Sequence, residues 1–195
     1  MKLIFASNNA HKLEEVRRIL DSVEVVSLKN IGFYAEIDET GETLNANSLL
    51  KAQTIWDWVQ AQGICVDGVF ADDTGLEISA LGMQPGVRTA RWAGEPACDK
   101  NNRQKALLEL NHKDDRTAQF RTIITMIIDG QIQQVEGCIR GHLSTEERGD
   151  GGFGYDPLFI PEGYDKTFAE LPAEVKNTIS HRARALDKMK QVLGL

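Results

Sequence analysis

The chain has 195 residues, 42% hydrophobic and 26% charged, which leaves room for one domain, or two lobes sharing a core, and is too apolar for intrinsic disorder. Its formal net charge of −7 excludes a general nucleic-acid or anionic-membrane binder, which needs an excess of Lys and Arg to neutralise phosphates. Three widely spaced cysteines, Cys65, Cys98 and Cys138, suggest neither a disulfide framework nor a zinc ribbon. No stretch approaches the ~18 apolar residues of a membrane span, so a soluble cytoplasmic protein is expected.

In chain order, Lys2–Ala6 is a short apolar run that predicts a buried strand. Ser7-Asn8-Asn9 supplies cap-type residues, and Leu13, Val16, Ile19 and Leu20 at helical spacing predict a helix over 10–20. Val23–Leu28 predicts a second strand. A long helix is expected from Thr43 to about Ala61, with Leu44, Leu49, Trp56 and Val59 on or near one face. Short strands over 64–66 and 69–71 are expected to form a hairpin at Asp67-Gly68, followed at once by the polar turn Asp72-Asp73-Thr74-Gly75. Residues 98–110 predict a helix. Strands over 117–128 and 131–143 join at Asp129-Gly130, the clearest hairpin signal in the chain. A Gly-rich loop covers 149–154, and Ile179, Ala183, Leu186, Met189 and Leu193 predict one last amphipathic helix. Alternating strands and helices with one long hairpin predict an α/β fold with a mixed sheet flanked by helices.

Five short segments carry chemistry-bearing residues. Ser7-Asn8-Asn9-Ala10-His11-Lys12 sits between strand and helix, where unpaired N–H groups suit a phosphate. Lys12 in the first turn opposes the helix dipole, a conflict that a ligand anion would remove, although an ordinary cap with an exposed Lys fits as well. Asp72-Asp73 places adjacent carboxylates at an expected strand end, where they call for a cation, a proton or a polar turn. Oxygen donors of this kind suit Mg²⁺, and a carboxylate not committed to a metal can take a proton from water. Asp38-Glu39 is an acidic turn that matters only if folding brings it beside Asp73. In Gly151–Pro157, glycines let the backbone approach a ligand while Phe153 projects for stacking on a base, with Asp156 as an acceptor. Finally, Lys176, His181 and Arg182 cluster near the start of the last helix. Residues 172–195 carry +3 against −10 for the remainder, which fits an anionic small ligand. Arg88, Arg91 and an exposed-looking Trp92 occupy a turn, and Trp56 and Trp58 are assigned to core or interface.

Together these segments resemble the inosine/xanthosine triphosphate pyrophosphatase family, which removes noncanonical purine nucleotides. The matching stretches are Ser7-Asn8-Asn9 with Lys12, Asp72–Leu76, Pro85-Gly86-Val87 with Ala90-Arg91, Gly151–Pro157, Thr167–Glu170, and Lys176 with Ile179–Arg182. They run in the family's order along nearly the whole chain. The resemblance implies a single domain over 1–195, an elongated mixed sheet with two lobes and a substrate cleft between them, and a homodimer. It implies Mg²⁺-dependent hydrolysis of a small molecule (ITP, dITP or XTP) to the monophosphate and pyrophosphate, with no nucleic-acid or membrane partner. It also implies roles for residues. Ser7, Asn8, Asn9, Ala10, His11, Lys12 and Lys176 hold phosphates. Asp73 accepts the proton and ligates metal with Asp72 beside it, and Glu39 or Asp38 adds a metal contact. Thr74 touches substrate in place of the relatives' Ser, keeping the hydroxyl. Phe153, Gly154, Tyr155, Asp156, His181 and Arg182 surround the base. The alternatives are a Maf-type nucleotide pyrophosphatase and a catalytically silent nucleotide-binding module.

Overall fold

Strand β1 (Lys2–Phe5) is buried on both faces, and its alternation assigns Leu3 and Phe5 to one side and Ile4 to the other. In the computed structural model, which describes all residues from Met1 to Leu195, this alternation sets the positions of the first helices. The elements that follow are α1 (Ala10–Ile19), β2 (Glu24–Ser27), α2 (Leu44–Gln62), β3 (Gly68–Ile78), β4 (Gln84–Gly86), α3 (Asp99–Glu109), β5 (Thr117–Ile128), β6 (Gln131–Leu143), β7 (Phe159–Pro161), α4 (Ala173–Ile179) and α5 (His181–Leu193). The mixed sheet has the order β2-β1-β3-β5-β6-β7, with β4 also paired to β3. β1 runs parallel to both β2 and β3, with Leu3 opposite Val25 and Gly68. β4 on β3 and β7 on β6 are antiparallel. An α/β fold with a mixed, helix-flanked sheet is therefore observed.

The chain divides into two compact units. The first comprises Met1–Asp73, Thr122–Gly137 and Arg182–Leu195. On one face of its strands Leu3, Phe5, Phe70, Ile124 and Met126 pack with Val16 and Leu20 at α1 and with Leu186 and Met189 of α5. On the other face Ile4, Val26, Val69, Ala71 and Ile127 pack with Ala52, Ile55 and Val59 of α2. The second unit comprises Thr74–Arg121 and Cys138–His181, and its core holds Leu76, Ile78, Phe120, Leu143, Tyr155, Phe159 and Phe168.

Most elements match the sequence expectation, and four differ. Ile64–Val66 is not a strand, and there is no hairpin at Asp67-Gly68. Asp67 instead accepts the Lys2 N–H at 2.6 Å, and β3 runs unbroken through Asp72 and Asp73. The predicted polar turn is thus mid-strand, because its charges find partners inside the protein. The buried stripe of α2 is Leu44, Asn47, Ser48, Lys51, Ala52, Ile55 and Val59, with the expected Leu49 and Trp56 only partly buried beside it. Apolar periodicity found Leu44 and Val59 but missed the centre of the stripe, where three members are polar. The last helix is two, separated at Ser180, whose extended backbone (φ −64°, ψ 160°) interrupts the helical turn. Trp92 is buried in the second unit's core, with the Lys105 ammonium 5.3 Å from its ring centroid. Trp56 and Trp58 pack against the α2-side core as expected, Trp58 edge-on to Phe33.

Candidate active site

Side chains alternate along a strand, so consecutive residues face opposite ways. On β3, Asp72 follows the Phe70 side, toward α1 and α5, and Asp73 follows the Val69 and Ala71 side, toward α2. The two adjacent carboxylates therefore hydrogen-bond to different cations, Asp72 to Lys12 and Arg182 and Asp73 to Lys51.

Asp72 is 1% exposed and lies among cations. Lys12 donates to its Oδ1 at 3.0 Å, and the Arg182 Nε and Nη2 donate to its Oδ2 at 3.1 and 3.0 Å. Arg182 also donates to Glu15 from α1 at 2.5 Å. Burial alone would raise the Asp72 carboxyl, but Lys12, Arg182 and Lys51 hold it well below the usual carboxylate range. Lys12 shifts down, since burial outweighs Asp72. The unfavourable cation in the first turn of α1 is thus answered by a carboxylate of the protein itself. Asn9 caps α1, its Oδ1 accepting the Lys12 N–H at 3.1 Å, and Asn9 in turn donates its N–H to the Ser7 hydroxyl at 3.2 Å. Asn8, Ala10 and His11 are exposed.

Asp73 is 6% exposed and meets α2. Lys51 donates to its Oδ1 at 3.4 Å and to Glu39 at 2.5 Å. Oδ2 of Asp73 is buried without a hydrogen-bond partner. Burial pushes the Asp73 carboxyl up, Lys51 and Lys12 oppose this, and Glu39 and Asp72 reinforce it, with a net upward shift. Lys51 moves the other way from an ordinary buried lysine. Burial would lower it, but Asp73, Glu39 and Asp72 raise it. Of the two acids in the upstream turn, Glu39 reaches this group and Asp38 is exposed. A buried carboxylate with an unsatisfied oxygen, beside a second carboxylate, is a hard-oxygen donor set that suits Mg²⁺.

The second unit holds the Gly-rich loop. Asp156, 3% exposed, accepts the Phe153 N–H at 2.8 Å and the Lys176 ammonium at 2.6 Å. Gly152, at φ +70°, lies against the Asp156 carboxylate, where any Cβ would collide with it. The Lys176 ammonium sits 4.8 Å from the half-buried Phe153 ring centroid and 5.6 Å from that of Phe168. Gly154 is fixed by Asp99 at its N–H and by Arg103 at its carbonyl, both at 2.9 Å. Tyr155 belongs to the core. Its hydroxyl donates to the Thr89 carbonyl at 3.0 Å, and burial pushes the phenol up. His181 stacks on Phe120, with centroids 4.6 Å apart. Thr74 is half-buried, one residue beyond Asp73 on β3.

The Ham1 family model matches residues 3–192. The chain belongs to the Ham1 family. A Porphyromonas gingivalis protein named dITP/XTP pyrophosphatase is 49% identical over 98% of this chain and 97% of its own. A Flavobacterium johnsoniae protein of the same name is 43% identical over 99% and 98%. The Ham1 protein structure from Staphylococcus aureus superposes with a TM-score of 0.85 at 34% identity, covering 100% of this chain and 98% of the other. The expected family resemblance holds, and with it the fold.

Within this Ham1 chain, the structure brings Ser7–Lys12, Asp72, Asp73, Glu39 and Arg182 into one unit, and Phe153–Asp156, Lys176 and His181 into the other. The expected basic cluster at the last helix is divided. Lys176 lies on α4 against Asp156, and Arg182 on α5 against Asp72 and Glu15. Sequence reading missed Lys51, Asn47 and Glu15. The available signal was position. Asn47 and Lys51 fall at i+3 and i+7 from Leu44, on the buried stripe of an amphipathic helix, where a polar residue needs a partner.

Proposed function

We propose that this protein hydrolyses noncanonical purine nucleoside triphosphates (ITP, dITP and XTP) to the monophosphate and pyrophosphate. The observation that carries this reading is Asp73, a raised, buried carboxylate with one unpartnered oxygen, in a Ham1 chain whose relatives are named for that reaction. Asp73 takes the proton of a water that attacks the α-phosphorus, and the bond from that phosphorus to the β-bridging oxygen breaks. A carboxyl shifted upward is a stronger base than an ordinary one, which suits the task. Asp73 and Glu39 are the donors for Mg²⁺, which when bound neutralises charge on the phosphates and the pyrophosphate leaving group. Lys51 orients both carboxylates. Asp72 acts as the counter-ion of Lys12 and Arg182 and keeps both cations in place. The first turn of α1, with Ser7–Lys12, receives phosphate oxygens.

Phe153 stacks on the base, on the ring face opposite the Lys176 ammonium. Lys176 and Asp156 hold the loop in shape. A pocket that hydrogen-bonds the 6-oxo edge leaves buried groups unpaired when adenine enters, a penalty that reaches ~10⁴-fold in sites built this way. The three cysteines are free and fit a cytosolic setting, and no helix is long and apolar enough to cross a membrane. The active species is a homodimer, as the sequence resemblance implies.

The test is pyrophosphate release from ITP, dITP, XTP, GTP, ATP, UTP and dTTP, with Mg²⁺ and with a chelator. The expected result is a kcat/KM for ITP and XTP at least ~100-fold above that for ATP, lost on chelation. Preference for UTP or dTTP would instead favour a Maf-type activity, and no release from any nucleotide would favour a silent binding module.

A further inference from the structure

The turn that carries Glu39 is attached to α2 at two points, one helical turn apart. The first is the Glu39 side chain on Lys51. The second is through the turn's backbone, the Gly41 N–H donating to the Asn47 Oδ1 at 2.7 Å. Asn47 and Lys51 are four residues apart, so they lie one above the other on the same helix face. The turn is closed on itself by the Thr40 N–H on the Asp38 carbonyl at 3.1 Å, and the helix start is fixed by Thr43, whose hydroxyl accepts the Ala46 N–H at 3.1 Å.

Asn47 is a poor choice for stability alone. It is fully buried, and its Nδ2 has no partner. An apolar residue of similar size would remove that orphaned donor, and the one hydrogen bond it would forfeit is the one from the Gly41 N–H. The position of Gly41 shows how closely the turn is pressed against the amide. A Cβ there would lie 2.6 Å from the Asn47 Oδ1 and 2.8 Å from the Ala46 Cβ. Between them, the acceptor on one side and the missing side chain on the other determine where the chain two residues upstream is held.

We propose that Asn47 is a positioning residue for Glu39. It anchors the backbone of the Asp38–Gly41 turn so that the Glu39 carboxylate stays on the α2 face beside Asp73. The Lys51 contact is made through a long, flexible side chain and can be exchanged. The Gly41 anchor joins the turn's backbone N–H to a short, fully buried amide and does not involve the carboxylate, so it persists when the carboxylate turns to another cation. This inference rests on the reading of Glu39 and Asp73 as the donors for a divalent ion.

The experiment measures Mn²⁺ binding to the nucleotide-free protein by electron paramagnetic resonance, together with the Mg²⁺ concentration giving half-maximal ITP hydrolysis. Asn47→Ala removes the acceptor, and Gly41→Ala pushes the turn off the helix. Both are expected to weaken Mn²⁺ binding ~10- to 100-fold, as loss of a ligand's supporting partner does, and to match Glu39→Gln. The half-maximal Mg²⁺ concentration rises by a similar factor, while kcat at saturating Mg²⁺ stays within ~3-fold of the parent. Val59→Ala, a core truncation on the same helix away from the turn, lowers the melting temperature and leaves Mn²⁺ affinity unchanged. The inference is overturned if Asn47→Ala and Gly41→Ala melt lower yet bind Mn²⁺ like the parent, or if Val59→Ala weakens binding as much as they do. A parent that hydrolyses ITP and binds Mn²⁺, with both variants unaffected, overturns this inference alone. A parent that hydrolyses ITP without binding Mn²⁺ overturns the metal assignment with it. If Asn47→Ala does not fold, Gly41→Ala carries the same comparison.

Discussion

Asp72 and Asp73 are the same residue type, adjacent, and both buried, yet their carboxyls shift in opposite directions. The cause is strand alternation, which gives Asp72 two cations and Asp73 a single lysine shared with Glu39. A carboxyl raised on folding binds its proton more tightly in the folded chain, so its ionised form at neutral pH works against the fold. Asp73→Asn is therefore expected to abolish turnover, by ~10²-fold or more, without lowering the melting temperature. Thermal shift with ITP and Mg²⁺ should still show stabilisation, because the phosphate and base contacts remain. Near-normal turnover would remove Asp73 from the proton-acceptor role, and a much lower melting temperature would contradict the sign of its shift. The sequence displayed the Asp72-Asp73 pair but not this division of labour. The partners that decide it lie 60 and 110 residues away from Asp72, distances at which no local pattern operates.

Among the elements, those ruled by local pattern were legible in the sequence. The β5–β6 hairpin fell at its predicted bounds, and α1 and α3 within a residue or two, because apolar periodicity and turn residues fix them. Apart from Ile64–Val66, an apolar run too short to settle as a strand, what failed was where a buried polar residue imitated a surface. Residues 72–75 look like a turn but continue β3, and α2 presents Asn47, Ser48 and Lys51 to the interior. The Ser48 hydroxyl is satisfied by the Thr125 hydroxyl of β5, the Asn47 Oδ1 by the Gly41 N–H, and Lys51 by Glu39 and Asp73. Lys51 is the most consequential of the three, because it is the strongest influence holding the Asp73 carboxyl down against burial. Lys51→Met should move Asp73 further up. Carboxyl NMR titration of the metal-free protein would show Asp73 titrating above its ordinary value in the parent and higher again in the variant. The acid limb of kcat should shift to higher pH with it, since less Asp73 is ionised at any given pH. An Asp73 titration indifferent to Lys51 would break the link between this helix face and the proposed base.

For the molecule as a whole, the net charge of −7 conceals how its charges are used. The sequence placed a +3 segment at the C-terminus and suggested cations available to an anionic ligand. In the fold, Arg182 is matched to Asp72 and Glu15, Lys176 to Asp156, and Lys51 to Glu39 and Asp73. Buried cations of this kind depend on their counter-ions being ionised, so acid should attack the fold through them. Asp72 gives the sign. Its carboxyl is depressed on folding, so its contribution is fully present above the ordinary carboxylate pKa and is lost as pH falls through its lower folded value. Asp72→Asn leaves Lys12 and Arg182 buried with Glu15 as the remaining paired acid, and removal of one partner from a buried ion pair costs about 3–5 kcal/mol. Urea unfolding followed from pH 7 downward should therefore give two curves well separated at neutral pH. The parent curve should fall toward the variant below about pH 4, because protonating Asp72 does to the parent what the substitution has already done to the variant. Repulsion among the remaining cations acts on both proteins alike and does not alter their convergence. Curves that stayed parallel through the acid range would mean that the Asp72 charge is not what holds Lys12 and Arg182 in the interior.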